Sequence, residues 1–272
     1  MTLIVGIKCE AGVVLAADGA ATLGALGHTT VRQETKKLEI IEDCIVVGTS
    51  GPVGLGQRIR GEIRSLWNNK ALLGKEPYQA MAAMRAAFWQ HVQPELQAAA
   101  VSQQVIGGNV AAQSAICSSL VALPLGKNPC LFQFDQQCAP EEATGKLLFV
   151  AIGSGQQIAD PFLAFVRRIF WPERIPTVEE GVFAALWTLS HAITTNAGGI
   201  SLPVQIIVLD GALKLKAHEL QKEELQEHEE AISYAEKCLA NFRESFHKKE
   251  GDASLSPPKP EKLREPIPKP EK

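Results

Sequence analysis

A threonine at position 2 could combine a nucleophile and its own base in one residue. Thr2 follows Met1 directly, and a small second residue predicts that the initiator methionine is removed. The threonine would then carry a hydroxyl beside a free α-amino group, whose reference pKa of about 7.7–8.0 leaves much of it neutral near pH 8. A neutral amine can take the hydroxyl proton directly or through a water. Many chains begin Met-Thr, so this feature gains weight only from its surroundings.

Four short motifs follow that could provide those surroundings. Their sequences are Asp18-Gly-Ala-Ala-Thr22-Leu-Gly24, Lys36-Lys37-Leu-Glu-Ile-Ile, Val46-Val-Gly-Thr-Ser-Gly51 and Ala151-Ile-Gly-Ser-Gly155. Each has an ordinary structural interpretation by itself: a carboxylate at a hairpin end, a solvated lysine, or a turn glycine. Their order and combination with Thr2 favour a functional interpretation.

Alternating and apolar runs predict the elements that must position these residues. The predicted strands are 2–8, 13–17, 38–41, 44–47, 115–123, 130–134, 145–152 and 203–209. The predicted helices are 55–66, 78 to about 94–100, 154–170 and 177–193, with a loop over 101–114. Thr177 and Glu180 have the spacing of a capping box. This order predicts an α+β or layered α/β fold with two sheets between helices.

The C-terminal region has a different composition from the rest. Residues 214–250 are rich in Lys, Glu and Gln with a heptad-like apolar stripe, which predicts a helix laid on the body or, as the alternative, against a neighbouring subunit. Six prolines in the 22 residues from 251 to 272 predict a disordered tail. We therefore expect a domain over 1–211, a helical extension over 212–250 and a tail over 251–272.

Composition excludes several classes of function. The formal net charge of −3, from 27 basic and 30 acidic residues, gives no electrostatic case for nucleic acid or a membrane surface. No apolar run approaches the roughly 18 residues of a membrane span, and the N-terminus predicts no secretory signal. The six scattered cysteines predict reduced thiols of a cytoplasmic protein, and neither they nor the six histidines show metal-ligand spacing.

The motifs resemble those of the proteasome β-type subunits, a family of N-terminal-nucleophile (Ntn) threonine peptidases. The similarity covers most of residues 2–210 and is most specific over 2–51, where the Asp18 motif is especially similar to HslV-type bacterial subunits. It implies a four-layer αββα sandwich, here with an added C-terminal helix and tail, and a threonine endopeptidase without cofactor or metal. It also implies stacked homo-oligomeric rings of six or seven subunits, unfolded polypeptide substrates and an optional ATPase unfoldase as partner.

The resemblance implies a catalytic role for one residue of each motif. Thr2 matches the nucleophile, and we expect no propeptide before it. Lys37 matches the lysine whose charge lowers the pKa of the amine and hydroxyl, and Asp18 matches the carboxylate that pairs with it. Gly51 matches the glycine whose N–H faces the developing oxyanion. Ser154 matches the serine that orients the threonine amine.

Three further residues match positions that bind substrate. Thr22 matches the residue whose backbone pairs with an extended peptide. Thr49 matches the base of the specificity pocket, and its neighbour Ser50 is assigned to substrate binding with it. A small polar residue at 49 predicts little charge selectivity and a preference for apolar or uncharged side chains.

Two departures from the family pattern keep other functions open. About three extra residues between Asp18 and Lys37 predict a loop insertion near 27–34. The family's Asp-x-x-Ser-Gly-Gly also becomes Thr194-Thr-Asn-Ala197-Gly-Gly199, which affects the network around the amine. One alternative is therefore a proteolytically silent Ntn subunit that serves assembly or binding. The other, by analogy of fold, is a small-amide hydrolase.

Overall fold

The computed structural model describes residues 2–25, 28–106, 116–195, 199–212 and 214–247. The chain divides into two compact units, Met1–Glu229 and Glu230–Lys272. This division falls within the last helix, whereas the sequence predicts a boundary after residue 211. The predicted helical extension and tail stay predictions as domains, and residues 251–272 lie outside the described residues.

Two five-stranded antiparallel sheets and one hairpin contain the described strands. The first sheet has the order β10 (Phe149–Ile152), β1 (Ile4–Lys8), β2 (Gly12–Asp18), β11 (Val204–Asp210) and β12 (Lys216–Glu219). The second has the order β5 (Leu38–Ile41), β6 (Ile45–Ser50), β7 (Ser118–Leu125), β8 (Asn128–Phe134) and β9 (Pro140–Glu142). The hairpin pairs β3 (Ala20–Ala25) with β4 (His28–Glu34).

Helices pack on both sheets. The described helices are α1 (Val53–Asn68), α2 (Pro77–Ile106), α3 (Gln156–Phe170), α4 (Val178–Thr195) and α5 (Lys222–His247). α1 and α2 contact each other and the second sheet, α3 and α4 contact each other and the first sheet, and strands of the two sheets contact one another. The fold class is α+β, as the sequence predicts.

The core lies on both faces of each sheet. One apolar cluster fills the space between the sheets and includes Ile4, Leu15 and Leu120, and a second joins the second sheet to α1 and α2. Every residue of β2 is buried, as expected for a strand covered on both faces. Asp18 is the last residue of this apolar strand and is therefore buried with it.

One helix runs further than its sequence predicts. α2 continues through Pro94 to Ile106, so the loop predicted from residue 101 begins too early. Pro94 removes one backbone donor, but the Ala, Gln, Glu and Leu residues that follow it are strong helix formers. The predicted capping box at the start of α4 is confirmed. Thr177 Oγ1 accepts a hydrogen bond from the Glu180 N–H, and Glu180 Oε2 accepts one from the Thr177 N–H.

Two segments adopt strands where the sequence predicts something else. Lys216–Glu219, expected in the terminal helix, pairs with β11 at the sheet edge, where backbone pairing overrides a charge-rich pattern. The extra residues before Lys37, expected as a loop insertion, belong to the β3–β4 hairpin, apart from residues 26 and 27, which lie outside the described residues.

Candidate active site

A buried ion pair lies beneath the start of the chain. Lys37 Nζ is 2.6 Å from Asp18 Oδ1, and the two side chains are 7% and 0% exposed. Asp18 ends β2, and Lys37 lies just before β5, so the pair connects the two sheets. Such a pair depends on further hydrogen bonds to compensate for the loss of water.

Backbone N–H groups supply those hydrogen bonds to Asp18. Leu3 donates to Oδ1 at 2.8 Å, Ala20 donates to Oδ2 at 3.2 Å, and Ser201 donates to Oδ2 at 3.4 Å. The Leu3 bond joins the same carboxylate oxygen that Lys37 contacts. Asp18 Oδ1 thus accepts hydrogen bonds from both the Lys37 ammonium and the backbone N–H of Leu3, the residue after Thr2.

The environment of Lys37 disfavours its charged form. Burial lowers the pKa of Lys37 below its ordinary value of 10.5, while the hydrogen bond and the charge of Asp18 act in the opposite direction. Removal of Asp18 would take away both of these opposing effects. The carboxylate therefore favours the cationic form of the lysine.

Gln205 is a positioning residue that the sequence analysis missed. Its Oε1 accepts the N–H groups of Lys37 at 3.1 Å and Leu38 at 3.0 Å, and its Nε2 donates to the Leu38 carbonyl at 3.1 Å. The side chain lies on β11 and is 7% exposed. It fixes the backbone that carries Lys37 to the first sheet. A glutamine within the apolar run of residues 204–209 is the signal that could have revealed it.

The turn after β10 closes around Thr2. The Thr2 N–H donates to Ser154 Oγ at 3.1 Å, and Gly155 donates its N–H to the Thr2 carbonyl at 3.2 Å. Gly153 has a φ of +95°, and a Cβ there would lie 2.2 Å from the Thr2 carbonyl oxygen. Only glycine fits this close approach. Ser154 therefore lies beside the nitrogen that would become the α-amine on removal of Met1.

Gly51 occupies a second position that only glycine fits. Its φ is +128°, and a Cβ would lie 2.2 Å from the carbonyl oxygen of Ile116. It follows β6 and precedes the N-terminus of α1, where unpaired N–H groups and the helix dipole favour negative charge. A developing oxyanion near this turn would be stabilised.

The residues matched to substrate binding lie on two strands. Thr22 is in β3, which in the described part of the chain pairs only with β4, so its other edge is open to an added strand. Thr49 and Ser50 end β6. Ser50 Oγ is 3.1 Å from the position of a Cβ on Gly153, which places the end of this strand beside the Thr2 turn.

The surroundings of Thr49 are charged. Arg60 Nη1 donates to Thr49 Oγ1 at 2.9 Å, and Arg60 also pairs with Glu39. Gly56 of the same helix makes room for the threonine, because a Cβ there would lie 2.5 Å from its Oγ1. The expectation of little charge selectivity rests on the Thr49 side chain alone and stays a prediction.

The departures from the family pattern divide between described and undescribed residues. Thr194 Oγ1 donates to the carbonyls of its own helix, at 2.9 Å to Ser190 and 3.0 Å to His191. Its hydroxyl is therefore used within α4. Ala197 lies outside the described residues.

Cysteine chemistry is disfavoured at this site. Burial raises the pKa of Cys117, the cysteine beside Gly51, to about 12, so its thiol stays protonated near neutral pH. Burial likewise raises the pKa of Cys9 to about 12.

Within the described ranges, no group of three or more His, Cys, Asp or Glu could hold a metal ion, and no helix is long and apolar enough to cross a membrane.

The fold is similar to that of several solved structures. Anbu (ancestral beta-subunit) from Yersinia bercovieri has a TM-score of 0.64 at 14% identity, over 89% of this chain and 97% of that one. An Anbu (Gly-1) mutant from Hyphomicrobium sp. strain MC1 has a TM-score of 0.62 at 17% identity, over 91% and 97%. The helical assembly of the Anbu complex from Pseudomonas aeruginosa gives 0.59 at 16%, over 88% and 96%.

Sequence comparison defines the family. A family model described as "Proteasome subunit" matches residues 2–199, so the chain belongs to the proteasome subunit family. It is 32% identical to the proteasome subunit beta of Methanocaldococcus jannaschii over 226 residues. This alignment covers 81% of this chain and 88% of that protein. The relationship is thus to the β-type Ntn subunits, which confirms the resemblance that the motifs carry.

Proposed function

We propose that the protein is a threonine-type endopeptidase in which Thr2, freed of Met1, is the nucleophile. The observation that carries this proposal is the buried Lys37–Asp18 pair, because its carboxylate also holds the N–H of the residue after Thr2. Thr2 Oγ1 attacks the peptide carbonyl and its amine takes the hydroxyl proton. The amine then returns a proton to the leaving group, and water hydrolyses the threonyl ester.

The other matched residues complete the proposed site. The turn at Gly51 stabilises the oxyanion, Ser154 orients the amine, and the open edge of β3 at Thr22 pairs with an extended substrate. No step requires a cofactor. We propose the four-layer αββα Ntn arrangement for the domain, supported by helices on both sheets and by the contacts between the sheets.

Digestion of an unfolded protein tests this function against its alternatives. The full-length protein is expected to cleave unfolded casein to peptides, and it should do so without added metal. A small-amide hydrolase would leave casein intact but hydrolyse short amides. A silent assembly subunit would cleave neither. This alternative is supported by Thr194, whose hydroxyl donates to carbonyls of its own helix.

The pH profile of kcat/KM has an expected shape. Activity should fall as pH drops through the pKa of the Thr2 amine, because a protonated amine cannot accept the hydroxyl proton. The nearby Lys37 charge should place that pKa below the reference of about 7.7–8.0. Burial lowers the pKa of Lys37, so an alkaline limb should appear below pH 10.5 as its charge is lost. An alkaline limb at or above 10.5 would contradict this assignment.

We also propose a homo-oligomeric, cytoplasmic particle. Stacked rings of six or seven subunits would confine the proteolytic sites, and an ATPase unfoldase could deliver substrates to them. The free thiols support a reducing compartment. Because the Pseudomonas aeruginosa relative is described as a helical assembly, an open spiral is the competing geometry, and electron micrographs of the purified protein distinguish the two.

A further inference from the structure

A partly buried guanidinium lies at the floor of the proposed substrate pocket. Arg60 projects from α1, its side chain is 19% exposed, and its Nη1 is 2.9 Å from Thr49 Oγ1. Thr49 immediately precedes Ser50, which borders the Gly153 turn around Thr2. The cation therefore lies beside the strand end that reaches the proposed nucleophile.

The charges around Arg60 do not cancel. Glu39 Oε2 is 2.9 Å from Arg60 Nε, and Glu39 Oε1 is 2.9 Å from Arg64 Nη2. Two guanidinium groups share one carboxylate, so this cluster carries a net positive charge. The Arg60 contacts with Glu39 and Thr49 engage Nε and Nη1, whereas a guanidinium has five N–H donors.

A buried hydroxyl lies next to the same floor. Ser119 of β7 is directly opposite Thr49 of β6, and the strand alternation puts both on the face that α1 and α2 cover. Ser119 is 1% exposed, and its Oγ has no hydrogen-bond partner within the described part of the chain. A buried hydroxyl without a partner costs stability, and an incoming acceptor would remove that cost.

We propose that Arg60 determines specificity, so that the enzyme prefers an acidic side chain on the residue before the scissile bond. This inference rests on the proposed peptidase function. An entering carboxylate meets a net positive cluster and can accept from Arg60, whereas a lysine or arginine side chain meets like charge. An apolar side chain would bring no acceptor to this polar floor. Arg60 thus replaces the uncharged specificity that Thr49 alone suggests.

A matched pair of peptides isolates the charge. Two fluorogenic peptides that differ only by Glu or Gln before the reporter bond are assayed with the full-length protein, together with a Lys peptide. The expected kcat/KM ratio of Glu to Gln is about tenfold or more, from the strength of a charged hydrogen bond. Arg60→Met should bring the ratio close to one, and Arg60→Lys should restore part of it.

Arg58→Met is the control, because Arg58 lies on the same helix but pairs with Glu95 and not with Glu39. It should keep the ratio within about threefold of the wild type. A wild-type ratio near one, or a ratio that Arg60→Met leaves unchanged while peptides are still cleaved, overturns this inference alone. If the wild type, with Thr2 exposed, cleaves none of the peptides, the proposed function fails and the inference fails with it.

Discussion

A Thr2→Ala variant should lose peptide hydrolysis by on the order of 10⁶-fold, the scale seen when a hydrolase loses its nucleophile. Alanine keeps the α-amine but has no hydroxyl to attack the carbonyl. Its backbone contacts with Ser154 and Gly155 should persist, because they use the nitrogen and carbonyl of residue 2 and not its side chain. The measurement is kcat/KM for peptide and casein cleavage.

Thr2→Ser is the matched control for this prediction. Serine retains a hydroxyl and an amine at the same position, so the variant should keep measurable activity with a reduced rate. Both variants should assemble and melt like the wild type. Thr2→Ala that cleaves peptides at the wild-type rate would show that another group performs the chemistry.

Lys37→Met should remove activity and also destabilise the fold. The change leaves Asp18, which is fully buried, without its cation, and breaking one member of a buried pair costs about 3–5 kcal/mol in unfolding free energy. In the proposed mechanism it also removes the charge that favours the neutral form of the Thr2 amine. The measurements are denaturant unfolding at fixed protein concentration and the rate of peptide hydrolysis.

The adjacent lysine provides an unusually close control. Lys36 differs from Lys37 in exposure, because its side chain is 72% exposed and pairs with Glu219 at the surface. Lys36→Met should change the unfolding free energy by no more than about 1 kcal/mol and leave the rate near that of the wild type. Equal effects of the two substitutions would contradict the role assigned to the buried pair.

The sequence predicts best those features that local chemistry determines. The apolar run of β2, the capping box of α4 and the motifs around Asp18 and Lys37 are all contiguous in the chain, and each carries its own signal. The pairing of Asp18 with Lys37 is implied only by the resemblance, because neither motif contains information on the distance between them.

Features that depend on packing between distant segments could not be predicted in this way. Gln205 reaches Lys37 from a strand 168 positions later in the chain. Arg60 contacts Thr49 because α1 packs with Leu55 and Ile59 toward the core. This orientation of the helix brings the Arg60 side chain to the end of β6. β12 forms by pairing with the edge of β11. No pattern within Lys216–Glu219 indicates that partner.

Mass spectrometry of the purified full-length protein, before and after treatment with a peptide electrophile that acylates hydroxyl groups, tests the central claim most directly. The account predicts a chain without Met1 that gains one adduct, mapped to Thr2, and a Lys37→Met protein that gains none. A chain that keeps Met1 throughout, or an adduct that maps to another residue while Thr2 stays unmodified, would contradict it.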